Sequence, residues 1–283
     1  MSIFVIGSNG YISKRFINNH KGSDLQLVSC HLQNKEHYLD LGKPEAFNYN
    51  LINKNDVILL LAAISSPDTC NNNYEFAYSI NVKGTIQFMN KCLEKEARVL
   101  FFSSDTVYGN NYEELDENSI CNPIGKYAEM KHRVEDEFLG CENFKVFRLS
   151  YVFSKNDKFM AYLRECSKKG EQVEVFHPMY RRVVYIDDLI LAIDNLCMHW
   201  TDYNYNIFNI CGKDLISRLD MANAYKNLID ENLNIKVVEP PKEFFSARPK
   251  KINMSSLNFS QLLKRDPLSF NKAMKLEFFN NNK

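Results

Sequence analysis

Four consecutive apolar residues, Ile3-Phe4-Val5-Ile6, run straight into Gly7-Ser8-Asn9-Gly10 and then into a helical pattern carrying Ile12, Phe16 and Ile17. A strand without polar alternation must be covered on both faces, the situation of a parallel sheet with helices on either side. The unit recurs along the chain: residues 25–29, an extended piece near 38–41, 57–62, 99–104 and Phe144–Leu149 read as further strands. Between them Pro44 opens a helix and residues 74–95 read as one long helix, with Phe76, Ile80, Ile86, Phe88, Met89 and Leu93 on its apolar stripe. Another helix covers about 125–139. Strands alternating with helices predict βαβ units in a doubly wound α/β sheet.

Beyond residue 155 the pattern is less regular. Helices at 157–169, from Asp187, and at 219–229 behind the capping residue Ser217 alternate with strands Val173–Phe176, 182–186 and 205–210. We therefore expect residues 1–155 to form the nucleotide-binding part. Residues 156–283 would combine returning sheet elements with a smaller α+β substrate lobe.

Lys+Arg and Asp+Glu each number 35, so no net charge draws the chain to nucleic acid or to an anionic membrane. Its cysteines, at 30, 70, 92, 121, 141, 166, 197 and 211, stand singly with no CxxC pair. Reduced thiols of a cytoplasmic protein fit that scatter better than a disulfide framework or a metal site, and no metal is expected. The longest apolar run, residues 57–64, is too short to span a bilayer. Met1-Ser2 leads directly into the first strand without a basic leader, so a cytoplasmic location is expected.

Three motifs carry chemistry. Glycines at 7 and 10, directly after a strand, permit a tight turn and close approach of backbone N–H groups to a pyrophosphate, with the positive end of a helix dipole behind them. That makes Gly7, Ser8, Asn9, Gly10, Tyr11 and Ile12 candidate dinucleotide contacts; Ser13 stands where a third glycine is expected. Tyr127 and Lys131, four apart on a helix, share one face, where an ammonium would pull the phenol's pKa toward the working pH for acid–base catalysis. Tyr151 and Lys155 repeat the spacing at a strand end and its loop, and are read as an accidental match. Finally, Ser103-Ser104 ends a strand at the edge where open α/β sheets bind ligands, so Ser104 is placed to donate to a substrate carbonyl.

In this order the motifs resemble the extended short-chain dehydrogenase/reductases, the NAD-dependent epimerase/dehydratase family that includes nucleotide-sugar 4-epimerases and 4-keto reductases. The resemblance covers essentially the whole length. It rests on residues 7–13, Asp40-Leu41, Leu61-Ala62-Ala63, Asn81-Val82-Lys83-Gly84-Thr85, residues 103–109, Tyr127 with Lys131, Arg148-Leu149-Ser150 and residues 184–189. It implies a Rossmann-type fold, with Tyr127 as acid/base, Lys131 tuning it while holding the cofactor ribose, and Ser104 orienting the carbonyl. Asp40 and Leu41 would lie by the adenine, Ala62 and Ala63 along the cofactor, and Asn81 would hydrogen-bond across the fold. Asp105, Arg181, Arg182 and Arg248 are candidate substrate contacts, guanidinium being suited to phosphate. Relatives often dimerise through the helices at 74–95 and 127–139, so a homodimer is an expectation.

Two departures refine the picture. Where NAD-preferring members carry an acidic residue for the ribose 2′-hydroxyl, this chain has Cys30-His31. NADP(H) is therefore expected ahead of NAD(H), with His31 and Lys35 near the 2′-phosphate. Dehydratases of the family carry Asp-Glu after the active-site hydroxyl; here Asp105 is followed by Thr106, which sets dehydration aside. The expected function is reduction of a nucleotide-linked 4-keto-6-deoxyhexose, such as dTDP-4-dehydro-6-deoxyglucose, in deoxysugar and surface-polysaccharide synthesis. The alternatives are a 4-epimerase that retains NAD and a non-catalytic NAD(P)-binding regulatory protein.

Overall fold

The computed structural model describes residues 1–20, 22, 24–31, 37–110 and 113–279; Lys35 lies outside them. Among the described residues six parallel strands form the central sheet, in the spatial order Leu25–Val28, Ile3–Ile6, Val57–Leu60, Arg98–Ser104, Phe144–Leu149, Ile207–Ile210. The register sets Ile6 opposite both Val28 and Leu60, and Ser104 opposite Leu149. After Leu25–Val28 the chain crosses back to the other side of Ile3–Ile6, so a crevice opens at the carboxyl ends of these strands. A single parallel bridge between Ser29 and Tyr38 is what becomes of the extended piece expected near 38–41.

Strict alternation along each strand feeds two cores. Ile3, Val5, Val57, Leu59, Leu100 and Phe102 point to one face and pack with Phe16 of helix Tyr11–Asn19 and with Leu189, Ile193 and Leu196 of helix Ile186–Met198. Phe4, Ile6, Ile58, Leu60, Val99 and Phe101 point to the other. There they meet Phe88 and Met89 of helix Thr85–Glu94 and Met130, Val134 and Phe138 of helix Lys126–Phe138. Burying side chains of this size stabilises by about 1.5–3 kcal/mol each, so both faces of the sheet hold helices in place.

The expected long helix is present but interrupted. Tyr74–Tyr78 runs into a π-turn, Ser79–Gly84, before Thr85–Glu94. The wider turn shifts the helical phase, which is why Phe76, expected on the apolar stripe, is 60% exposed while Phe88 and Met89 are buried. At the end of the π-turn Gly84 presses against the loop that carries Asp40 and Leu41: a Cβ there would stand 1.7 Å from the Leu41 carbonyl oxygen.

The second half returns helix Ile186–Met198 and strand Ile207–Ile210 to the main body, and builds the rest into small sheets. Leu215–Ser217, Tyr180–Arg182, Lys251–Met254 and Glu114–Leu115 form a four-stranded one; Val173–Phe176 pairs with Ile235–Val238. The single strand expected at 182–186 is in fact two, Tyr180–Arg182 and Val184–Tyr185, in different sheets. Ser217 caps helix Arg218–Leu228 as expected, in a reciprocal capping box with Asp220. Among the described residues no helix is long and apolar enough to cross a membrane.

Gly84→Ala should force backbone apart, because the obstructing atom is main chain. We expect a loss of about 1–3 kcal/mol or more in urea unfolding; unchanged stability would mean the helix and the loop do not touch this closely.

Candidate active site

The glycine turn is built by backbone. Gly7 has φ +84°, and a Cβ there would sit 3.1 Å from Ala62, so only glycine lets the first strand's end and Ala62 approach. Gly7 and Ser8 N–H donate to the Val28 carbonyl, and Gly10 N–H donates to the Gly7 carbonyl. Ser13, in place of a third glycine, is fully buried and donates from Oγ to the Gly7 carbonyl at 2.9 Å, tying helix to turn. Gly10 supplies no side-chain cap to helix Tyr11–Asn19. The first-turn N–H groups therefore lack intrahelical partners at the mouth of the crevice.

That crevice is a cleft of about 670 Å³ lined by Gly7, Asn9, Gly10, Tyr11 and Ile12 on one side, with Ser8 buried behind them. His31, Asp40 and Leu41 line one end, Ala62 and Ala63 the floor, and Tyr127 and Lys131 the far wall. Asn81 braces the floor: its Oδ1 accepts from the Ile64 N–H and its Nδ2 donates to the Ile64 carbonyl, both at 2.9 Å. His31 ends the second strand in a small turn where its N–H donates to Ser29 Oγ. A cradle that a single methyl group would fill, backed by an uncapped helix N-terminus, fits a dinucleotide.

Helix Lys126–Phe138 carries Tyr127 and Lys131 one turn apart. Lys131 Nζ is buried, donates to the Phe102 carbonyl at 2.7 Å and lies 4.5 Å from the Phe101 ring centre. Burial lowers its pKa to about 8, with Glu135 pulling the other way. The tuning of Tyr127 by Lys131 expected from spacing is not the arrangement found. The ammonium stands 5.9 Å over the tyrosine ring and is committed to Phe102, while burial, with Cys70 and Asp105 nearby, raises the phenol's pKa. Tyr127 is thus a protonated acid in this state.

Beside the cleft a second cavity of about 230 Å³ is lined by Ser104, Asp105, Met179, Arg181, Ala247 and Arg248. Tyr127, Leu149 and Tyr151 line both cavities. Ser104 Oγ accepts from the Thr106 N–H and hydroxyl and donates weakly to Asp105 Oδ1 at 3.4 Å. Buried Asp105 also accepts from Ser150 and faces Arg181 Nε at 3.4 Å; burial keeps its carboxyl above the ordinary range despite that partner. Arg181 also donates to the Tyr180 and Pro249 carbonyls, and Arg248 pairs with Asp68 at 2.6 Å.

Arg182 does not join the site. Neighbouring strand residues point to opposite faces, and its guanidinium goes instead to Asn253, the Lys213 carbonyl and Glu114. Tyr151, read from sequence only as half of an accidental spacing match with Lys155, is a wall residue held by a 2.7 Å donation to Asp157 Oδ1. Its position just past a strand's carboxyl end was the available signal. Cys70 was also missed; its thiol donates to the Ile64 carbonyl and lies near Tyr127 and Lys131.

Residues 1–279 match the family described as the RmlD substrate binding domain. The ADP-L-glycero-D-manno-heptose-6-epimerase of Brachyspira hyodysenteriae (strain ATCC 49526 / WA1) is 24% identical over 260 residues, 80% of each chain. Among solved structures, dTDP-4-dehydrorhamnose reductase from Yersinia enterocolitica superposes with a TM-score of 0.83 at 22% identity over 98% of each chain. The reductase of that name from Bacillus anthracis str. Ames, in complex with NADP, gives 0.80 at 20% identity over 99% of each. UDP-glucuronic acid 4-epimerase from Bacillus cereus, with UDP-glucuronic acid and NAD, gives 0.77 at 18% over 98% of each. At these identities the structural likeness carries the fold.

The lowered pKa of Lys131 makes a measurable signature. Between about 8 and its ordinary 10.5 the unfolded chain holds a proton that the folded chain has released, so this residue adds stability as pH rises through that window. Relative to Lys131→Met, the wild type should gain unfolding free energy across that range; a pH-independent difference between the two would show that the ammonium is not held down.

Proposed function

The chain belongs to the RmlD substrate binding domain family, and on that premise we propose that it is an NAD(P)H-dependent reductase of a nucleotide-linked 4-keto-6-deoxyhexose, for example dTDP-4-dehydro-6-deoxyglucose. The observation that carries this reading is the position of Tyr127, on the shared wall of a cleft flanked by the glycine turn and a smaller cavity bearing Ser104, Asp105 and arginines. One cavity suits the cofactor and the other the sugar, so the phenol stands where the two reactants meet.

When bound, the reduced nicotinamide supplies the hydride. Tyr127, protonated because burial raises its pKa, gives its proton to the sugar oxygen as that oxygen becomes an alkoxide. Ser104 turns its hydroxyl toward the same oxygen, and its present partners Thr106 and Asp105 hold it at the cavity wall. Lys131, cationic below about pH 8 and held by the Phe102 carbonyl, would keep a positive charge on the Tyr127 side of the cleft and, with cofactor bound, would be the residue to hold its ribose. Arg248 and Arg181 face the cavity with charge suited to the diphosphate of the nucleotide sugar. Asp105-Thr106 supplies no glutamate for removing the proton that a dehydration would require.

NADP(H) is favoured because the exposed His31 stands at the end of the second strand where an acidic residue would repel a 2′-phosphate. The helices Thr85–Glu94 and Lys126–Phe138 are our candidates for a dimer face.

The test is the purified chain with NADPH or NADH and dTDP-4-dehydro-6-deoxyglucose. Stoichiometric loss of reduced nicotinamide, faster with NADPH, is expected; a C4 epimer formed from a nucleotide hexose without net consumption would move the chain to the epimerases. Tyr127→Phe should lower kcat by roughly 10²–10⁴ while cofactor binding survives; normal turnover would remove Tyr127 from the mechanism.

A further inference from the structure

Outside the cleft, the loop before helix Lys126–Phe138 and the outer turn of that helix bring together three side chains of a different character. Cys121, His132 and Glu135 each present one donor atom within 4.8 Å of the other two. His132 and Glu135 are three apart on one helix and so share a face; Cys121 arrives from the loop and packs against the small cluster of Val107, Tyr108 and Leu115. The reading of scattered single cysteines missed this group because it holds one cysteine, with a histidine 11 residues on and a glutamate three beyond that, rather than a CxxC pair.

Two of the donors are unfinished. Glu135 is 0% exposed. Its Oε2 accepts from Arg148 Nε and Nη2 at 3.0 and 2.7 Å, while its Oε1 has no hydrogen-bond partner among the described residues. The His132 Nδ1 is buried and makes no hydrogen bond either, although Asp136 Oδ1 is 3.5 Å away. A buried carboxylate oxygen without a donor costs free energy that a cation would recover. The spacing of His132 and Asp136 is also that of neighbouring ligands on a tetrahedral ion with bonds of about 2.0–2.3 Å.

We propose that Cys121, His132 and Glu135 bind a zinc ion, with Asp136 or a water in the fourth position, and that this ion clips the 113–125 loop to the helix carrying Tyr127 and Lys131. A mixed sulfur, nitrogen and carboxylate set selects zinc over magnesium or calcium, which prefer oxygen alone. Charge closes around it: the Cys121 thiolate, Glu135 and Asp136 face one divalent cation and the Arg148 guanidinium. The thiol gives up its proton on binding, and the Glu135–Arg148 pair is kept because the ion takes the other carboxylate oxygen. Neighbouring ligands on a tetrahedral zinc stand roughly 3.3–3.8 Å apart, so donors now within 4.8 Å of one another need to close by about 1–1.5 Å at most. Since zinc would bind the folded chain and not the unfolded one, it raises thermal stability with concentration.

The experiment uses the full chain with zinc alone, in competition with a chromophoric chelator, and with cobalt(II) as a spectroscopic substitute. One equivalent of zinc, a cobalt–thiolate charge-transfer band and a zinc-dependent rise in Tm are expected. Cys121→Ser should abolish the band. His132→Gln should weaken zinc binding by more than the roughly 10–100-fold that loss of an outer-shell partner costs, and remove the Tm rise. A wild-type cobalt complex without a thiolate band would overturn the site whether or not the variants fold. Equal zinc affinity in wild type and both variants would do so too, assigning the metal to other cysteines.

Discussion

One buried guanidinium decides where the helix that carries Tyr127 and Lys131 can sit. Arg148, from strand Phe144–Leu149, holds Glu135 of that helix at 2.7 Å, and both side chains are almost wholly withdrawn from solvent. Its Nη1 donates to the Tyr108 hydroxyl at 2.8 Å, which in turn reaches the Asp116 carbonyl and the Asn209 amide oxygen. The loop after Ser104, the helix and the last sheet strand thus converge on one cation. Net stabilisation from such a pair is small, because desolvation offsets attraction; stripping away one partner is what is severe, about 3–5 kcal/mol. Its contribution is position: Tyr127, Lys131 and Glu135 are spaced by fours on one helical face, so anchoring the last fixes the others.

Tyr127 is held as the neutral phenol and Lys131 as an ammonium whose proton is only loosely kept. A neutral phenol can deliver its proton directly, which is the role proposed for Tyr127. The sequence spacing correctly suggested that the two residues share a face, yet it carried no information about the Phe102 carbonyl, and that carbonyl is what Lys131 is bonded to.

Much of the sheet was legible because period-two burial leaves runs such as Ile3–Ile6 and Val57–Leu60 with no polar position. The glycine turn and the Ser217 cap were legible for a local reason: each is specified by residues within one turn of it. What failed to show depended on distant atoms. Where the strand breaks at Val183, Gly212, 29 residues away, closes in so tightly that a Cβ would stand 1.8 Å from the Val183 carbonyl oxygen, an approach that no local pattern registers. The π-turn leaves the apolar residues of its helix in apparent sequence phase while rotating Phe76 into solvent. Arg181 and Arg182 look alike as letters, and only strand parity separates the one that faces the cavity from the one that does not.

Because Gly84 meets the Leu41 carbonyl directly, the end of the cleft lined by Asp40 and Leu41 is walled by main chain resting on main chain. Such a wall has a width that drift among surface side chains cannot alter, whereas the neighbouring cavity is shaped by Met179, Arg181 and Arg248 from a lobe of small sheets. The two halves of the site are therefore free to diverge at different rates. If the small cavity takes the sugar as proposed, exchanging a handful of lobe residues retargets it while the glycine-turn cradle is inherited unchanged.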